Sequence, residues 1–514
     1  MTFAIFFIMT NDSEIDQIKK SKMSRRDALS TAGKAAAGIV GIAIVGGAAY
    51  AVTNQGAAPE APVTVTQTQV QTATVTAEQP VDVIPDKEKL VFDHWGWGTE
   101  IIQDNAKIFN ADYDENLETN VFPWPYFTQI ETKLVTGAHV DMIYVNNLGW
   151  LAKWYNAGWI LPLDNMPGVE EAKAQIYPGF KNSLTYDGHL LGLSYFADAN
   201  SWYRNDKLLE QIGADDFSAH PVTPDEMESQ ARELKSKGIC EYPILGAWWP
   251  EHVGIGLSTL SQMIGDGEDF VDKDFEPVLD TNSGGAYTLD TWRRWWKDEL
   301  VAPESLTFTE GEFNSLAMSG RHAFMGPVFP PIYNSIWNTP AFSDDAGYFN
   351  VNKVNTSLTG NTLAYVSCVS LTNIPRSARD EQRAYNLIKF FGWKDDAGNY
   401  PVGSRWINDF ALYSIFKDVN DSNRDFLLNK NTDGIYWMRP PGKDENYAIQ
   451  QLDNINDLYI NKAKDSPLFT QVWFPEWFEQ LQTQTVNVIQ DISTIEDWAT
   501  NLRGSLKEIK ARYT

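Results

Sequence analysis

The sequence predicts an α/β protein with at least two lobes, built mainly on parallel sheets. The chain has 514 residues, which is more than one hydrophobic core of ordinary size organises. Short apolar runs suited to buried parallel strands occur at Leu90–Phe92 and Met142–Val145. Segments with one apolar face at helical spacing alternate with runs of this kind. This alternation is typical of helices layered on parallel sheets.

Three segments carry the helical pattern most clearly. The stretch Thr223–Glu226 offers a capping hydroxyl, a proline at the first helical position and an acid at the third. Gly238 can end the helix that begins there. The apolar positions that fall on one face of the three predicted helices are Met227, Ala231 and Leu234; Ala384, Leu387, Ile388 and Phe391; and Ile495, Trp498, Leu502, Leu506 and Ile509.

The charge of the chain argues against nucleic acid as a partner. The formal net charge is -27 at pH 7. A polyanion would be repelled by such a surface. The excess of acid is also an ordinary means of keeping an exported protein soluble.

The sequence predicts no cofactor, no metal site and no catalytic motif. The chain has six His and two Cys, and none of them has the spacing of a zinc site. No phosphate-binding GxxxxGK[ST] or nucleophile-elbow GxSxG pattern is present. Cys240 and Cys368 are too few and too far apart in sequence to form a disulfide framework, and their pairing stays open.

The N-terminus reads as an export segment. Five basic residues between Lys19 and Arg26 precede an apolar run from Ala35 to Val52. The stretch Ser24–Leu29 resembles a twin-arginine export signal, although Ala28 stands where a bulkier apolar residue is common.

Whether this segment is cleaved stays open from the sequence. Ala49–Ala51 offers a small-residue cleavage site, but a run of about 18 apolar residues is also long enough to remain as a membrane anchor. No Cys follows it to carry a lipid, and Met23 is an alternative start. Residues 1–52 are therefore predicted to be an export signal or anchor. Residues 53–86, rich in Thr, Gln and Pro, are predicted to be a linker to the folded part.

The folded part resembles the extracellular solute-binding proteins of ABC importers, in their sugar-binding branch. Six segments, in the order expected for that family, carry the resemblance across about residues 88–514: Gln129–Tyr144, Trp154–Asp164, Tyr186–Tyr195, Trp202–Leu209, Pro221–Glu226 and Phe313–Pro327. The sequence departs from the family pattern at Ser194, Pro224 and Val328, where the family has Pro, Trp and Trp.

The resemblance implies a two-lobed, periplasmic-binding-protein-like fold with hinge strands between the lobes. The implied first lobe is 88–198 plus 346–395, and the implied second lobe is 199–345 plus 396–514. The hinge would run near Ala197–Asn200, near Asp345–Asn350 and near 395–405. Ligand would lie between the lobes, and closure would be a hinge motion.

Loops at the carboxyl ends of strands supply the candidate ligand contacts. Trp95 and Trp97, separated by a glycine after the first strand, favour stacking on a ligand ring, with packing at the lobe edge as the alternative. Asn146 and Asn147 can hydrogen-bond a ligand or form a turn, and Trp150 follows them.

The remaining candidates follow from the resemblance or from the position of tryptophans. Asp198 matches a cleft carboxylate of the sugar-binding relatives, with a capping role at the hinge as its alternative. Trp248 and Trp249 line the cleft or fill the core of the second lobe. The other predicted ligand contacts are Phe329, Tyr333, Asn361, Trp406 and Trp477, the last resembling a late cleft aromatic of the family.

The many tryptophans in these loops favour a carbohydrate, whose apolar C–H faces pack on rings. The resemblance implies an exported monomer that delivers its ligand to a membrane permease without catalysis, and residues 35–52 would attach it to the membrane if they are retained. The alternatives left open are an importer subunit for a polyamine, peptide or nucleoside, an exported glycoside hydrolase, and an S-layer or adhesion protein. A hydrolase would need two carboxylates about 5 to 9.5 Å apart, which the sequence neither identifies nor excludes.

Overall fold

The computed structural model describes residues 88–514 apart from 124, 147–148, 215–221, 250–251, 266–267, 279–282, 318, 329–348, 353–363, 430–436, 440–443 and 514. Pro85–Thr514 form one compact unit. The predicted export segment (1–52) and linker (53–86) lie outside the described residues. None of the described helices is long and apolar enough to cross a membrane.

Strands and helices alternate along the first part of the described chain. In order they are β1 (Leu90–Trp95), α1 (Thr99–Asp112), β2 (Leu117–Phe122), α2 (Tyr126–Thr136), β3 (Met142–Val145), α3 (Trp150–Asn156), α4 (Val169–Gln175), β4 (Thr185–Tyr186), β5 (His189–Leu190), β6 (Leu193–Asn205), α5 (Asp206–Leu209), α6 (Pro224–Ser236), β7 (Ile244–Gly246) and α7 (Val253–Ile264).

The second part of the chain is richer in helix. Its elements are α8 (Gly284–Lys297), α9 (Glu310–Ala317), β8 (Phe324–Val328), β9 (Phe349–Asn352), β10 (Ala364–Asn373), α10 (Glu381–Gly392), α11 (Pro401–Phe410), α12 (Lys417–Ser422), α13 (Arg424–Leu428), α14 (Glu445–Asn456), β11 (Ala463–Asp465), α15 (Phe474–Ile489) and α16 (Ile495–Lys510).

The main sheet has the strand order β2-β1-β3-β10-β6-β8-β7, with β11 beside β10 and β9 beside β6. Strands β1, β2 and β3 are parallel, as are β7 and β8. Strand β10 is antiparallel to both β3 and β6, and β6 is antiparallel to β8 and β9. The prediction of α/β architecture is confirmed, but the centre of the sheet is antiparallel because chains cross there between its two halves.

Strand β6 is one of these crossing strands. Its first part, up to Asn200, pairs with β10, and its second part, from Ser201 onward, pairs with β8 and β9. We call the half that contains β1, β2, β3 and β10 the first lobe, and the half that contains β7, β8 and β9 the second lobe. The structure therefore has two lobes that share one continuous strand.

The last crossing between the lobes comes later in the chain than expected. Helix α11 packs against α1 and α10 of the first lobe, and its Trp406 and Ile407 are fully buried there. Strand β11 still pairs with β10. Helices α15 and α16, which follow β11, pack against α7 and α8 of the second lobe. The expected third crossing at 395–405 is therefore not where the chain changes lobes. The crossing follows β11, because α11 and β11 both still pack on the first lobe.

The helix patterns that the sequence predicts are confirmed in detail. Thr223 and Glu226 form a reciprocal capping box at the start of α6, and Thr494 and Asp497 do the same for α16. The predicted apolar positions of α6, α10 and α16 are buried, apart from Ile495, which is only partly so. Each of these helices buries one apolar face against the sheet or against another helix. The ends of the strands are therefore available to form the junction between the lobes.

Candidate functional site

The strand registers bring loops of both lobes to one junction. Strand β3 runs toward the crossing because its Val145 pairs with Leu371, and β1 runs parallel to it. In the second lobe, β8 runs toward the crossing because its Val328 lies opposite Ser201, and β7 runs parallel to β8. The carboxyl ends of the strands in both lobes therefore point at the boundary between them, which is where α/β proteins bind ligands.

The loop after β1 presents two partly exposed tryptophans at this junction. The rings of Trp95 and Trp97 lie 6.5 Å apart and are inclined by 28°. Trp97 stacks on Trp406, with ring centroids 5.1 Å apart and planes 11° apart. Trp406 stacks in turn on Tyr195, at 5.5 Å and 11°. This set, which we call the aromatic platform, stacks partly exposed Trp97 on fully buried Trp406 and places partly exposed Trp95 beside Trp97, which restricts the orientation of both partly exposed rings.

Glycine makes the tight approach beneath the platform possible. Gly98 has a φ of 65°, and a Cβ atom there would lie 2.0 Å from a ring carbon of Trp406. Any other residue would therefore displace the Trp406 ring or the loop. The turn that aims Trp97 at the junction thus depends on a position that only glycine fits.

The loop after β3 joins the two lobes at a second point. Trp150 stacks on Phe127 at 5.0 Å, with planes 14° apart, and carries the Lys153 ammonium 4.8 Å above its ring. It packs against the cores of both lobes. The amide of Gly149 donates a hydrogen bond to the carbonyl of Phe469 in the second lobe, at 2.7 Å. Trp150 therefore lies at the lobe boundary, while its ring is already engaged by first-lobe side chains.

The second lobe contributes the loop between β7 and α7. Trp249 packs on His252 and on Phe313, with ring centroids 4.5 and 5.1 Å apart. The His252 Nδ1 lies 3.1 Å from the carbonyl oxygen of Ala247, and its Nε2 lies 3.5 Å from the amide nitrogen of Asn200 on the crossing strand. Burial lowers the pKa of His252 to about 4, so the imidazole is neutral at pH 7. This loop forms a mostly apolar wall against the crossing strand.

A buried ion pair fixes the strand that leads to the platform. Asp93 is fully buried and accepts hydrogen bonds from Lys133 Nζ at 2.5 Å and from Asn120 Nδ2 at 2.9 Å. Its backbone carbonyl accepts a hydrogen bond from the hydroxyl of Tyr126. Because both charges and the strand end are satisfied internally, this pair positions β1 and is not available to a ligand.

Four of the predicted ligand contacts are tryptophans buried in the protein, and one of them, Trp249 of the second-lobe loop, is 4% exposed. Trp248 is fully buried in the second-lobe core, with its ring 5.2 Å from Trp292. Trp477 is fully buried between α15 and α16 and donates a hydrogen bond to the carbonyl of Leu502. Trp406 is fully buried beneath the platform. In this structure the indoles of Trp248, Trp406 and Trp477 fill the interior and offer no surface to a ligand, because an indole completes a core as readily as it stacks on a ligand.

Several predicted contacts are not described by the structure. Asn147, Phe329, Tyr333 and Asn361 lie outside the described residues. Asp198 lies on β6 at the crossing, opposite Cys368 in the register, and its side chain is outside the described part. Asn146, at the carboxyl end of β3, is buried at 8% exposure. These residues stay predictions.

Residues that the sequence did not single out complete the geometry. Tyr195, Phe196 and Phe410 surround Trp97 and Trp406, and Phe313 supports Trp249. Tyr195 and Phe313 belong to the segments that resemble the family, but nothing in the sequence shows which ring they meet. Cys240 carries a free, buried thiol whose pKa burial raises to about 11. Among the described residues no cluster of His, Cys, Asp and Glu has the geometry to hold a metal ion.

Comparison with known proteins agrees with this architecture. The chain resembles an ABC transporter solute-binding protein from Thermotoga lettingae solved with α-D-tagatose: 19% identity, TM-score 0.65, 82% of this chain and 100% of that chain covered. It also resembles maltose-bound MalE3 of T. maritima: 18% identity, TM-score 0.64, 82% and 99% covered. The corresponding values for the sugar-binding protein MalE of Xanthomonas citri are 15%, 0.62, 83% and 98%.

These structures share the fold of the chain. No curated protein matches it by sequence. The family model of the bacterial extracellular solute-binding proteins matches residues 95–368, more than half of the sequence, and the match begins at the first platform tryptophan. The chain therefore belongs to the family of bacterial extracellular solute-binding proteins.

Proposed function

We propose that this protein captures a carbohydrate or polyol outside the cytoplasm and delivers it, chemically unchanged, to an ABC import permease. The observation that carries the proposal is the aromatic platform: Trp95 and Trp97 are partly exposed at the lobe junction, and Trp97 is stacked on buried Trp406. Rigid rings at a cleft favour ligands with flat apolar faces.

Carbohydrate chemistry suits such a surface better than the alternatives do. A sugar ring offers C–H faces to an indole and hydroxyls to neighbouring polar groups. A polyamine could also bind aromatic faces through cation–π contacts, but it would need carboxylates to neutralise its charges, and among the described residues the junction walls are mostly aromatic. Related structures were solved with tagatose and with maltose, which supports the same class of ligand.

Capture would proceed by closure of the two lobes about the crossing strands. The ligand would stack first on Trp95 and Trp97 of the first lobe. The second-lobe wall around Trp249 would then close onto its other face, and the added contacts would shift the population toward the closed form. Predicted contacts at Asn146, Asn147 and Asp198 would accept or donate hydrogen bonds to hydroxyls. The closed form would dock on the permease. Residues 1–52 would hold the protein at the extracytoplasmic face of the cell membrane, or the protein would be released after their cleavage.

A thermal-shift screen tests the proposal. The purified protein is heated with maltose, maltotriose, tagatose, ribitol or mannitol, and in parallel with spermidine, a tripeptide mixture and adenosine. A ligand present at 100 times its Kd stabilises the folded state by about 2.7 kcal/mol. A shift with a sugar or polyol, and an unchanged ligand after long incubation, is the expected result.

The control variants separate the platform from the interior. Trp95→Ala with Trp97→Ala is expected to abolish the sugar-induced shift, because both exposed rings are removed. Trp296→Ala, which removes a partly exposed tryptophan of α8 in the second lobe, is the matched control and is expected to keep it. A shift with spermidine alone would replace the carbohydrate by an amine, and formation of a shorter sugar would make the protein a hydrolase.

A further inference from the structure

The chain leaves the first lobe for the last time between two consecutive residues. Asp465, the last residue of β11, pairs with Val366 of β10 in the first lobe. The hydroxyl of the next residue, Ser466, donates a hydrogen bond of 2.6 Å to the carboxylate of Asp269. Asp269 belongs to the second lobe, because the same carboxylate oxygen accepts a hydrogen bond of 2.7 Å from Ser258 of α7. The peptide between Asp465 and Ser466 is therefore the point at which the chain changes lobes.

Strand β6 changes lobes just as abruptly. Asn200 lies opposite Tyr365 of β10, whereas the next residue, Ser201, lies opposite Val328 of β8. Strands β6 and β11 flank β10 on its two sides, so the two crossing points are about 10 Å apart, or two strand spacings. The connection from β9 to β10, residues 353–363, lies outside the described residues. Rotation about the two described points would move one lobe against the other and leave the strand pairing inside each lobe intact.

The Asp269 carboxylate holds the second of these points through several hydrogen bonds. Asp269 is buried, its Oδ2 accepts both serine hydroxyls, and its Oδ1 accepts the backbone amide of Phe270 at 2.8 Å. Ser258 is fixed in turn by Gln262, whose side-chain amide donates to its hydroxyl oxygen at 3.0 Å. Burial raises the pKa of Asp269 to about 6, so the group is ionised at pH 7, and hydrogen bonds to an ionised acceptor are the stronger kind. One carboxylate thus joins α7 to the first residue beyond the crossing.

The segment 466–473, which follows the crossing, faces the first lobe across open space. A cavity of about 540 Å³ lies between this segment and Asn182, Thr185 and Tyr186 of the first lobe. The amide of Gly149, which donates to the carbonyl of Phe469, reaches the segment only three residues beyond its start. Because Ser466 itself lines the cavity, it has room to move once its bond to the carboxylate is lost.

We propose that Asp269 is a positioning residue of the hinge: through Ser466 it fixes the last crossing segment to α7 and thereby restricts the angle between the lobes before ligand binds. The inference rests on the proposed function and concerns the closure of that same site. Without the bond, the ligand-free protein would sample a wider range of lobe orientations. Ligand binding would then have to restrict more conformational freedom, so affinity would fall.

Two serine variants separate this role from a contribution to stability. Ser466→Ala removes the hydroxyl on the crossing segment, and Ser258→Ala removes the hydroxyl that the same carboxylate oxygen accepts from α7. Each hydroxyl oxygen also accepts one further hydrogen bond, so both variants should lower the melting temperature by a similar amount. Ser466→Ala should lower the affinity for the sugar or polyol that binds in the screen by about fivefold or more in calorimetric titration, whereas Ser258→Ala should keep it within a factor of about two.

A distance measurement between the lobes examines the hinge directly. Spin labels at Val135→Cys, in α2 of the first lobe, and at Ile492→Cys, after α15 of the second lobe, report the separation of the lobes in pulsed electron spin resonance. Both positions are well exposed, at 64% and 68%. Cys368→Ser in every protein compared keeps the label off β10, and Cys240 is buried.

The ligand-free distance distribution is expected to broaden in Ser466→Ala and to stay as in the wild type in Ser258→Ala. Asp269→Asn, which weakens the same bond, should broaden it as well and should add nothing to the effect of Ser466→Ala. Equal broadening in the two serine variants, or none in either, would overturn the inference and leave the proposed function standing. If no sugar or polyol binds, the proposed function fails, and the ligand-free distances still decide whether Asp269 restricts the hinge.

Discussion

Replacing Trp406 tests whether the platform depends on a buried ring. Trp406 is fully buried and lies within ring contact of Trp97, Tyr195, Phe196 and Phe410, at centroid distances of 4.8 to 5.8 Å. Removing a fully buried Trp to Ala costs about 3–5 kcal/mol through lost transfer energy and the cavity left behind. Among the described residues its indole N–H has no hydrogen-bond partner, so the substitution removes no hydrogen bond seen there. The whole cost is therefore one of packing.

The expected change in melting temperature can be worked out from the size of the folded unit. Pro85–Thr514 contain 430 residues, and unfolding entropy is about 2.1 cal/mol/K per residue, or about 0.9 kcal/mol/K in total. Each kcal/mol thus lowers the Tm by about 1 °C, and Trp406→Ala should lower it by about 3–6 °C. Differential scanning calorimetry of the ligand-free protein measures this shift.

A second readout connects the buried ring to the ligand. Without Trp406, the Trp97 side chain loses its support and should stack less well, so affinity for the sugar that binds in the screen should fall about tenfold or more. Trp406→Phe retains an aromatic ring at the same place and is expected to recover most of both effects. A Trp406→Ala protein with an unchanged Tm, or one that is destabilised while it keeps full affinity, would refute the idea that this ring supports the platform.

Three further outcomes are expected. Gly98→Ala should destabilise the protein by about 2 kcal/mol or more in urea titration, since its Cβ would strike Trp406, whereas Gly188→Ala, at a similar φ but with open space around it, should lose only about 1 kcal/mol. Asp269 accepts hydrogen bonds from Ser258 and Ser466, and burial raises its pKa to about 6. Because the folded state holds this proton more tightly than the unfolded chain does, the contribution of Asp269 to stability is fully present below about pH 4 and declines by roughly 2–3 kcal/mol as the pH rises through 6. Asp269→Asn should remove this dependence from the pH profile of Tm. Trp477→Ala should lower the free energy of unfolding by about 3–5 kcal/mol, because the ring is fully buried. Ligand affinity, measured by calorimetric titration, should stay within a factor of about two, because the substitution leaves the platform intact.

The sequence predicted the features that depend on neighbouring residues, such as the start of a helix or the course of a buried strand. The Thr223–Glu226 stretch specifies a helix start because its cap, proline and acid satisfy the first free amides, and it does so in the structure. The run Met142–Val145 is apolar at every position, as a strand buried on both faces must be, and it forms β3 in the sheet. The sequence placed Trp95 and Trp97 in a loop after the first strand; in the structure Trp95 ends β1 and Trp97 lies in the loop that follows, where glycines on either side of it interrupt the strand.

The sequence could not say which tryptophans were interior. Trp248 and Trp249 are neighbours with the same chemistry and both are buried, yet Trp248 packs against Trp292 of α8 whereas Trp249 packs on His252 and Phe313. The direction of each ring depends on where β7 ends relative to α7 and β6, and those elements are far apart in the chain. The same limit explains why segment 396–463 was assigned to the second lobe. Its amphipathic helices could cover the surface of either lobe, and the sequence does not show which surface they meet.

The sequence alone determined the α/β class, the start of α6, the buried faces of α6, α10 and α16, and the tryptophans at the end of β1, because each depends on residues within a few positions of one another. Tertiary structure alone decided that Trp406 lies beneath Trp97 and that the last crossing follows β11. These features arise where segments hundreds of residues apart meet, and the free energy of a buried ring or charge is set by the neighbours that surround it rather than by its place in the chain.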